Sequence, residues 1–499
     1  MFVFAFLSLL PVLFLVKNSK PVRAAIFGLI AGAISLGINA SWLGSYHPIG
    51  IVIGMLLGAF WFGLAFALSS IIFKTGSKYA AIASAFVWVL CEWGRSYGFV
   101  AFPYEAIAYS QAERKLAYSI AAVGGTNLLG LLVALSGASL FYALNFYFKK
   151  PANKIRGTLF RGSFALLLIA MAIFYGKMPR GTSDDSILLV NPGEEQQPGY
   201  FRVALLQPCI KKQKTVEAYN NAFDKLSALS IEAVKYNPKL VVWHETAIVP
   251  PIEWHYRYRP NREVYELTAR IKSFLDEYPI PILTGNAYVP PEDDRRQKEY
   301  NAAILYKNGK PEQHYSKIKL VPFSEYLPSF LNFDFISRPI IAHLGGFWNP
   351  GSDKFIFRLD SASFASPICF EDSFGSFLAS FDNPDFFVVL TNDSWANSEY
   401  MQQQHLAMSR FRAAETASII IRAADTGSTS AVNGKGSVIY ELKSMEPGIL
   451  ALDIKLGVTK KTFYEQYHLF IDLLITAFAI FFTVLAMADK KTAAQNSLH

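Results

Sequence analysis

Three residues whose side chains can take part in covalent chemistry stand in or at the ends of apolar, strand-like runs. Glu245 closes "VVWHE", Lys317 lies in "HYSKIKL" and Cys369 closes "SPIC". A thiolate attacks a carbonyl to form a thioester, a carboxylate takes the thiol proton, and an ammonium group stabilises the oxyanion. The three residue types together favour acyl transfer through a cysteine thioester, with the acidic neighbours of Cys369 compatible with a thiol that ionises only during attack.

Each of these side chains also has a plainer interpretation. Cysteine is among the most buried residue types, so Cys369 as an inert core thiol is the alternative. Lys319 competes with Lys317, because residues two apart on a strand share a face and periodicity does not choose between them. His405 is a candidate acid or base, but a polar histidine at a helix interface is the more common case. Cys91 and Cys209 are expected to be packing residues.

The elements that must position these residues alternate between short β-rich runs and helices, which indicates an α/β layered domain. Strands are predicted at "FRVALLQ", "KLVVWHE", "IPILTGNAYV", "NAAILYK", "QHYSKIKL", "DKFIFRL", "SFASPICFE", "DFFVVLTNDSW", "IIIRAAD", "SAVNGKGSVIYEL" and "GILALDI". Helices are predicted over residues 215–236, 262–276 and 402–417.

The composition is too apolar for an ordinary soluble enzyme, with 52% hydrophobic and 17% charged residues and a mean hydropathy of +0.24. Since a helix needs about 20 apolar residues to cross a bilayer, we expect membrane spans in the apolar segments. The candidates are residues 1–16, 24–43, 50–73, 80–93, 119–148, 163–176 and 469–488. The first lacks the basic start and cleavage site of a signal peptide and is kept as a span.

The formal charge of +8 fits the basic ends of membrane helices better than nucleic-acid binding, and no nucleic-acid partner is expected. Basic residues follow every second span, which makes that side cytoplasmic. The resulting prediction is a transmembrane domain with six helices over 1–177, a linker over 178–200, an extracytoplasmic catalytic domain over 201–467, and a last span with a cytoplasmic tail over 468–499. The basic residues concerned are Lys17, Lys20, Arg23, Lys74, Lys78, Lys149, Lys150, Lys154, Arg156, Arg161, Lys490 and Lys491.

Four motifs, in this order, resemble the carbon–nitrogen hydrolase (nitrilase) superfamily: "VVWHETA", "YSKIKLVPFSEYLP", "SPICFEDSFG" and "LTNDSW". Framed by apolar spans, this domain resembles the superfamily's membrane-bound branch, the apolipoprotein N-acyltransferase family, and the resemblance covers essentially the whole chain. It implies a four-layer αββα sandwich beside the membrane domain.

The resemblance also implies roles for individual residues. Glu245 matches the general base, Lys317 the oxyanion-stabilising lysine and Cys369 the nucleophile of a Glu-Lys-Cys triad. Supporting roles fall to Glu325 in "PFSE", to Glu371 two places after the cysteine and to the aromatic Phe370; Trp395 is a tentative substrate contact. Plainer roles stay open for three of these: Glu371 as a brace of the nucleophile loop, Glu325 as a structural hydrogen-bond acceptor and Trp395 as an amphipathic surface residue. The sequence departs from the family pattern at His244, where a proline usually precedes the base.

The implied reaction moves a fatty acyl chain from a phospholipid to Cys369 and then to the α-amine of a diacylglyceryl-cysteine at the N-terminus of an apolipoprotein. Neither a cofactor nor a metal is expected. The protein is expected to be a monomer in the bacterial inner membrane, with its catalytic domain on the periplasmic side. Two rivals remain: a membrane-bound amidase or nitrilase that gives the acyl group to water, and a non-catalytic membrane scaffold or transporter.

Overall fold

The computed structural model describes residues 2–46, 48–149, 184–210, 215–327, 333, 347–458 and 460–495. The chain divides into two compact units. One comprises residues 1–179 and 462–499, and the other residues 180–461. The C-terminal helix therefore belongs with the N-terminal helices, although nearly 300 residues separate them along the chain.

Apolar helices make up the first unit: α1 (Phe2–Asn18), α2 (Pro21–Asn39), α3 (Leu43–Tyr46), α4 (Pro48–Phe73), α5 (Ala80–Arg95), α6 (Lys115–Lys149) and α12 (Phe463–Gln495). Four stretches in them are long and apolar enough to cross a membrane: Pro21–Asn39, Pro48–Phe73, Lys115–Asn145 and Phe463–Asp489. Helix α1 is apolar but shorter, and the predicted span at 163–176 lies outside the described residues. The expected membrane domain is confirmed.

Small residues hold this unit together. Helices α2 and α4 approach so closely that a Cβ on Gly32 would lie 2.1 Å from the carbonyl oxygen of Gly58. Such glycine contacts are typical of helix pairs in membranes, where close packing drives association. Asn127 on α6 donates a 2.8 Å hydrogen bond to Asp472 on α12, which links the C-terminal helix to the N-terminal set.

Two mixed β-sheets form the second unit. The seven-stranded sheet has the order β1-β13-β2-β3-β4-β5-β6 and the six-stranded sheet the order β12-β11-β10-β9-β8-β7. Among the described strands, β2-β3-β4 and β8-β9-β10 pair in parallel. The strands are β1 (Ile187–Leu189), β2 (Tyr200–Gln207), β3 (Leu240–Val242), β4 (Ile282–Tyr288), β5 (Tyr300–Lys307), β6 (Lys310–Ser316), β7 (Phe357–Leu359), β8 (Ala362–Ala365), β9 (Phe386–Thr391), β10 (Ile419–Ala424), β11 (Ser430–Val432), β12 (Val438–Glu441) and β13 (Gly448–Lys455).

Successive side chains along a strand point to opposite faces of its sheet, and the two faces pack in different cores. On β2, Phe201 and Val203 point to the core between the two sheets, whereas Ala204 and Leu206 face a second core under helices. Those helices are α7 (Val216–Ala233), α8 (Ile252–Tyr258) and α9 (Arg262–Glu277), while α10 (Gly375–Leu378) and α11 (Glu399–Thr416) accompany the six-stranded sheet. The predicted αββα sandwich is confirmed.

Three helices in this unit start at a side-chain cap. The side chains of Thr215, Asn261 and Ser398 each accept a hydrogen bond from a backbone N–H three residues ahead, at the starts of α7, α9 and α11. Such caps satisfy one of the four unpaired N–H groups at a helix start.

Two local features differ from the expected pattern. Part of the segment expected to be a linker forms the edge strand β1, which pairs with β13. Strand β6 ends at Ser316, so that the predicted strand "QHYSKIKL" stops before both of its lysines. The backbone N–H of Lys317 still donates to Asn301 on β5, but the chain then turns away from the sheet.

Candidate active site

Glu245 stands just beyond the carboxyl end of β3, and the residue is only 5% exposed. The backbone around it packs directly on Gly285 of β4: a Cβ there would lie 2.5 Å from the His244 oxygen and 2.6 Å from the Glu245 Cα. Across the two sheets, the side-chain amide of Asn392, which follows β9, donates to the Glu245 carbonyl at 3.3 Å. The base loop is therefore held from both sheets.

Lys317 is fully buried and paired with two carboxylates. Its Nζ lies 3.0 Å from Oε1 of Glu245 and 2.8 Å from Oε1 of Glu325. Burial lowers the pKa of Lys317, but the charges of Glu245 and Glu325 outweigh it and hold that pKa well above its ordinary value. The lysine is thus a fixed cation, as an oxyanion-stabilising group requires.

The two lysines that strand periodicity could not separate have different environments. Lys319 points away from this cluster: its Nζ lies 4.6 Å from the ring centroid of Phe374 and 5.7 Å from that of Phe377. The two-residue spacing does not place both lysines on one face, because the strand ends before them.

Cys369 begins a short 3₁₀ turn, Cys369–Ser373, that follows β8. Its φ of 49° lies in the left-handed region, which is unusual for a residue with a side chain. Burial raises the pKa of the Cys369 thiol well above its ordinary value; Glu245 raises it further and Lys317 partly offsets the rise. The group is therefore a neutral thiol, and it could act as a nucleophile only by losing its proton to a base.

The two supporting glutamates differ in what they hold. Glu325 joins the cluster directly, accepting from Lys317 and, at 3.2 Å, from the amide of Asn301. Glu371 is fully buried and accepts from the Tyr315 hydroxyl at 2.7 Å. It also accepts from the backbone N–H groups of residues 318, 319 and 368, which tie the nucleophile loop to the segment that carries Lys317.

The two aromatic residues predicted to belong to the site lie in the short turns after β8 and β9. Phe370 is 6% exposed and its ring meets that of Phe374 edge to face at 4.9 Å. Trp395 is half-buried in a 3₁₀ turn after β9.

Sequence reasoning missed three polar residues near these groups. Asn301 on β5 bridges the two carboxylates, donating to Oε1 of Glu245 at 2.9 Å and to Glu325. The hydroxyl of Thr391, at the end of β9, is within hydrogen-bonding reach of the Cys369 thiol and 3.1 Å from Asp393. Asn392 is the third, and an Asn-Asp pair directly after a buried strand was the available signal.

A buried charge network lies behind the nucleophile. The imidazole of His405 makes a 2.7 Å contact through Nε2 with Asp372 and a 3.0 Å contact through Nδ1 with Asp393. Arg422 on β10 pairs with Asp372 and lies 3.5 Å from Asp393. Burial raises the pKa of each aspartate, but His405 and Arg422 outweigh it and hold both values below the ordinary one.

The same residues raise the question of a metal, because donor atoms of Cys369, Asp393 and His405 lie within 4.8 Å of one another. Burial lowers the pKa of His405, but the two aspartates outweigh it and raise that pKa to about 9. In its protonated form both ring nitrogens are donors to aspartates, and a cation would have to displace a proton and break one of these contacts.

Two family models cover most of the chain. Residues 1–139 match the apolipoprotein N-acyltransferase N-terminal domain, and residues 202–464 match the carbon-nitrogen hydrolase family. The first covers helices α1 to α5 and part of α6, and the second covers the two-sheet unit from within β2 onward and the start of α12.

Relatives match along nearly the full length. Apolipoprotein N-acyltransferase 1 of Treponema denticola is 29% identical, and the match covers 95% of this chain and 89% of the relative. The protein of that name from Treponema pallidum is 30% identical, and the match covers 90% of this chain and 84% of the relative. The apolipoprotein N-acyltransferase of Aquifex aeolicus is 27% identical over 81% and 82%. One similar solved structure is an amidase from Nesterenkonia sp. AN1, in a mutant form, with the acetamide moiety of fluoroacetamide added covalently at its active-site cysteine. The match covers 53% of this chain and 94% of the amidase chain, at 15% identity and a TM-score of 0.39.

Proposed function

The chain belongs to the apolipoprotein N-acyltransferase family, and on that premise we propose that it transfers an acyl chain from a phospholipid to the N-terminal α-amine of a diacylglyceryl apolipoprotein through a thioester on Cys369. The observation that carries the proposal is the buried Glu245–Lys317 pair, 3.0 Å apart, whose charges both act on the Cys369 thiol. A base, an oxyanion-stabilising cation and a nucleophile are the groups that thioester chemistry needs.

In the first half-reaction Glu245 takes the thiol proton and the Cys369 sulfur attacks the ester carbonyl of the phospholipid. Asn301 and Lys317 both donate to Oε1 of Glu245. Among the described residues Oε2 accepts no hydrogen bond, which leaves it for the incoming proton. The ammonium of Lys317 stabilises the oxyanion, and the ester C–O bond breaks as Glu245 returns the proton to the departing lysophospholipid oxygen.

The second half-reaction uses the same groups in the reverse order. The neutral α-amine of the apolipoprotein attacks the thioester carbonyl and gives its proton to Glu245, while Lys317 again stabilises the oxyanion. The C–S bond breaks, the thiolate recovers a proton from Glu245, and an amide is formed. Since both substrates are anchored in lipid, the membrane helices raise their effective concentration at the site.

We also propose that the second unit faces the periplasm of a bacterial inner membrane, because diacylglyceryl-anchored N-termini are expected on that side. Among the described residues, the basic turns after α1 and α4 and the end of α12 lie together, which supports a common cytoplasmic side. Nζ of Lys74 lies 3.4 Å from the Lys17 carbonyl oxygen, and Ser77, beside Lys78, donates to Asp489 at 2.9 Å.

The test is reconstitution of the full chain in vesicles of phosphatidylglycerol and phosphatidylethanolamine with isotope-labelled acyl chains. Peptide mass spectrometry is expected to find one added acyl chain on Cys369 and an equal amount of lysophospholipid. A synthetic diacylglyceryl-cysteinyl peptide with a free α-amine should then remove the adduct and gain one acyl chain, whereas its N-acetylated counterpart should not.

The variant Cys369→Ala should form no adduct, while Cys91→Ala and Cys209→Ala should behave as wild type. Turnover by Cys369→Ala would overturn the nucleophile assignment. Release of free fatty acid without acylation of the peptide would identify the chain as a hydrolase instead.

A further inference from the structure

One face of α11 carries three buried polar residues that all reach the nucleophile loop. His405, Ser409 and Arg412 follow one another at intervals of four and three residues, which places them on the same side of a helix. Ser409 donates to Asp372, and Nη1 of Arg412 donates to the Ser373 carbonyl oxygen at 2.8 Å. The loop that begins at Cys369 is thus fastened to one helix along its length.

His405 makes the contact nearest the nucleophile. Its Nε2 lies 3.3 Å from the carbonyl oxygen of Cys369, in addition to the 2.7 Å contact with Asp372. Cys369 has a left-handed backbone conformation, which is unfavourable for a residue with a side chain and persists only where the surroundings enforce it. A donor on the carbonyl of that same residue is a direct means of enforcing it.

The ring has acceptors on both sides, so it donates from both nitrogens and carries a positive charge. Four groups face it from the elements packed around it: Asp372 from the nucleophile loop, Asp393 from the loop after β9, Arg422 from β10, and the Cys369 thiol. Arg422 opposes protonation, but the two aspartates outweigh it and burial together.

The charge on His405 also matters for the thiol. A carboxylate oxygen of Asp393 lies within 4.8 Å of the Cys369 sulfur, and its negative charge disfavours the thiolate. The imidazolium hydrogen-bonds to that carboxylate and offsets its charge. Thr391 lies between the two, within reach of the thiol and 3.1 Å from Asp393, so its hydroxyl can turn from the carboxylate to the newly formed thiolate.

We propose that His405, as an imidazolium bridging Asp372 and Asp393, is a positioning residue for Cys369: it holds the strained nucleophile turn through the Cys369 carbonyl and neutralises the carboxylate beside the thiol. This inference rests on the proposed function, since it takes Cys369 as the nucleophile. It assigns His405 no contact with substrate.

The pH dependence follows from the sign of the shift. The pKa of His405 is raised to about 9, so the charged, bridging form is complete at neutral pH and is lost as the pH rises through about 9. Lys317 keeps its proton over that range because its pKa lies well above its ordinary value. Loss of the His405 proton therefore produces a decline in the rate of acyl-adduct formation between pH 8 and pH 10.

The experiment uses the full chain with Cys91 and Cys209 replaced by alanine, in phosphatidylglycerol vesicles, whose head group has no amine that titrates in this range. Two rates are measured on Cys369 from pH 6 to pH 10: formation of the acyl adduct and alkylation by iodoacetamide. His405→Gln should lower both rates at least about tenfold at pH 7, because a rise of one unit in the pKa of the Cys369 thiol lowers its thiolate fraction about tenfold. The variant should also abolish the decline in the rate of adduct formation at alkaline pH. His314→Gln is the matched control, because that exposed ring stacks on Tyr288 at 3.9 Å, away from the network.

A second variant keeps the test decisive if His405→Gln does not fold. Asp372→Asn removes one of the two anions that hold the His405 proton, so the alkaline decline should move to lower pH. The inference is overturned if His405→Gln keeps both rates within twofold of wild type, if the decline in Asp372→Asn stays in place, or if the wild type shows no decline. Wild-type Cys369 that is alkylated but never acylated would refute the proposed function instead, and the alkylation rates of the variants would still decide the role of His405.

Discussion

Replacing Gly285 with alanine would insert a methyl group into the backbone of the loop that carries Glu245. The new Cβ would lie 2.5 Å from the His244 oxygen, 2.5 Å from the Thr246 nitrogen and 2.6 Å from the Glu245 Cα, whereas Cβ atoms in proteins essentially never come closer than 3.0 Å to such atoms. All three neighbours are backbone atoms, so no side chain can rotate out of the way.

The loop therefore has to retreat by about 0.5 Å, which equals the tolerance within which a catalytic constellation has to be held. Glu245 would move away from Lys317, now 3.0 Å from it, and from the Cys369 thiol. A misplacement of about 1 Å can cost about 10²-fold in rate, so we expect acyl-adduct formation to fall by about 10-fold to 10²-fold. Overpacking should also lower the free energy of unfolding by about 1–3 kcal/mol.

The assay is the initial rate of acyl-adduct formation on Cys369 in labelled vesicles, measured together with thermal unfolding so that only folded protein is compared. Gly130→Ala on α6 is the matched control: its Cβ would have its nearest neighbours at 3.5 Å and 3.8 Å, which is ordinary contact, so the rate should not change. A folded Gly285→Ala variant with a rate within twofold of wild type would refute the argument that Gly285 sets the position of the base.

Three further outcomes are expected. Lys317→Met should lower the rate of adduct formation at least about 10²-fold, whereas Lys319→Met, which removes the cation–π contacts with Phe374 and Phe377, should be much milder; the reverse order would show that the wrong lysine was chosen. Glu371→Ala should leave the Tyr315 hydroxyl and three backbone N–H groups without their acceptor, so the melting temperature should fall, and an unchanged melting temperature would exclude its bracing role. Reporter fusions should give a periplasmic signal near position 190 and a cytoplasmic signal after positions 150 and 495; a cytoplasmic signal near position 190 would separate the site from its acceptor and rule out the proposed reaction.

The local pattern of apolar and polar residues in the sequence was enough to predict the helices, the strands and the fold class. Long apolar runs predict membrane helices because a bilayer accepts little else, and alternation of short β-rich runs with helices predicts layered α/β structure. The motifs around Glu245, Lys317 and Cys369 placed three reactive side chains in or near strand ends and led to the family that the comparisons confirm. Their role as a triad remains a prediction.

The resemblance to the family selected Lys317 over Lys319, but only the tertiary structure shows the physical difference between them. Lys317 still donates its N–H to Asn301 of β5, but its carbonyl accepts from the N–H of Gly351, and the next two N–H groups donate to Glu371, so the strand ends at Ser316. Strand alternation does not apply beyond that point, and no periodicity in the sequence marks where pairing stops. The edge strand β1, three residues long, is likewise defined by its pairing with β13, some 260 residues later.

The partners of the buried charged groups next to Cys369 were also set by the tertiary structure alone. His405 was expected to be a polar interface histidine, and nothing near it in the sequence indicates that two aspartates, 12 and 33 residues away, meet at its ring. Whether a buried histidine is neutral or charged depends on the charges that the fold brings to it, and composition or spacing does not contain that information. Sequence periodicity records which face of an element is apolar, whereas the partners of a buried charge are set by contacts between distant segments.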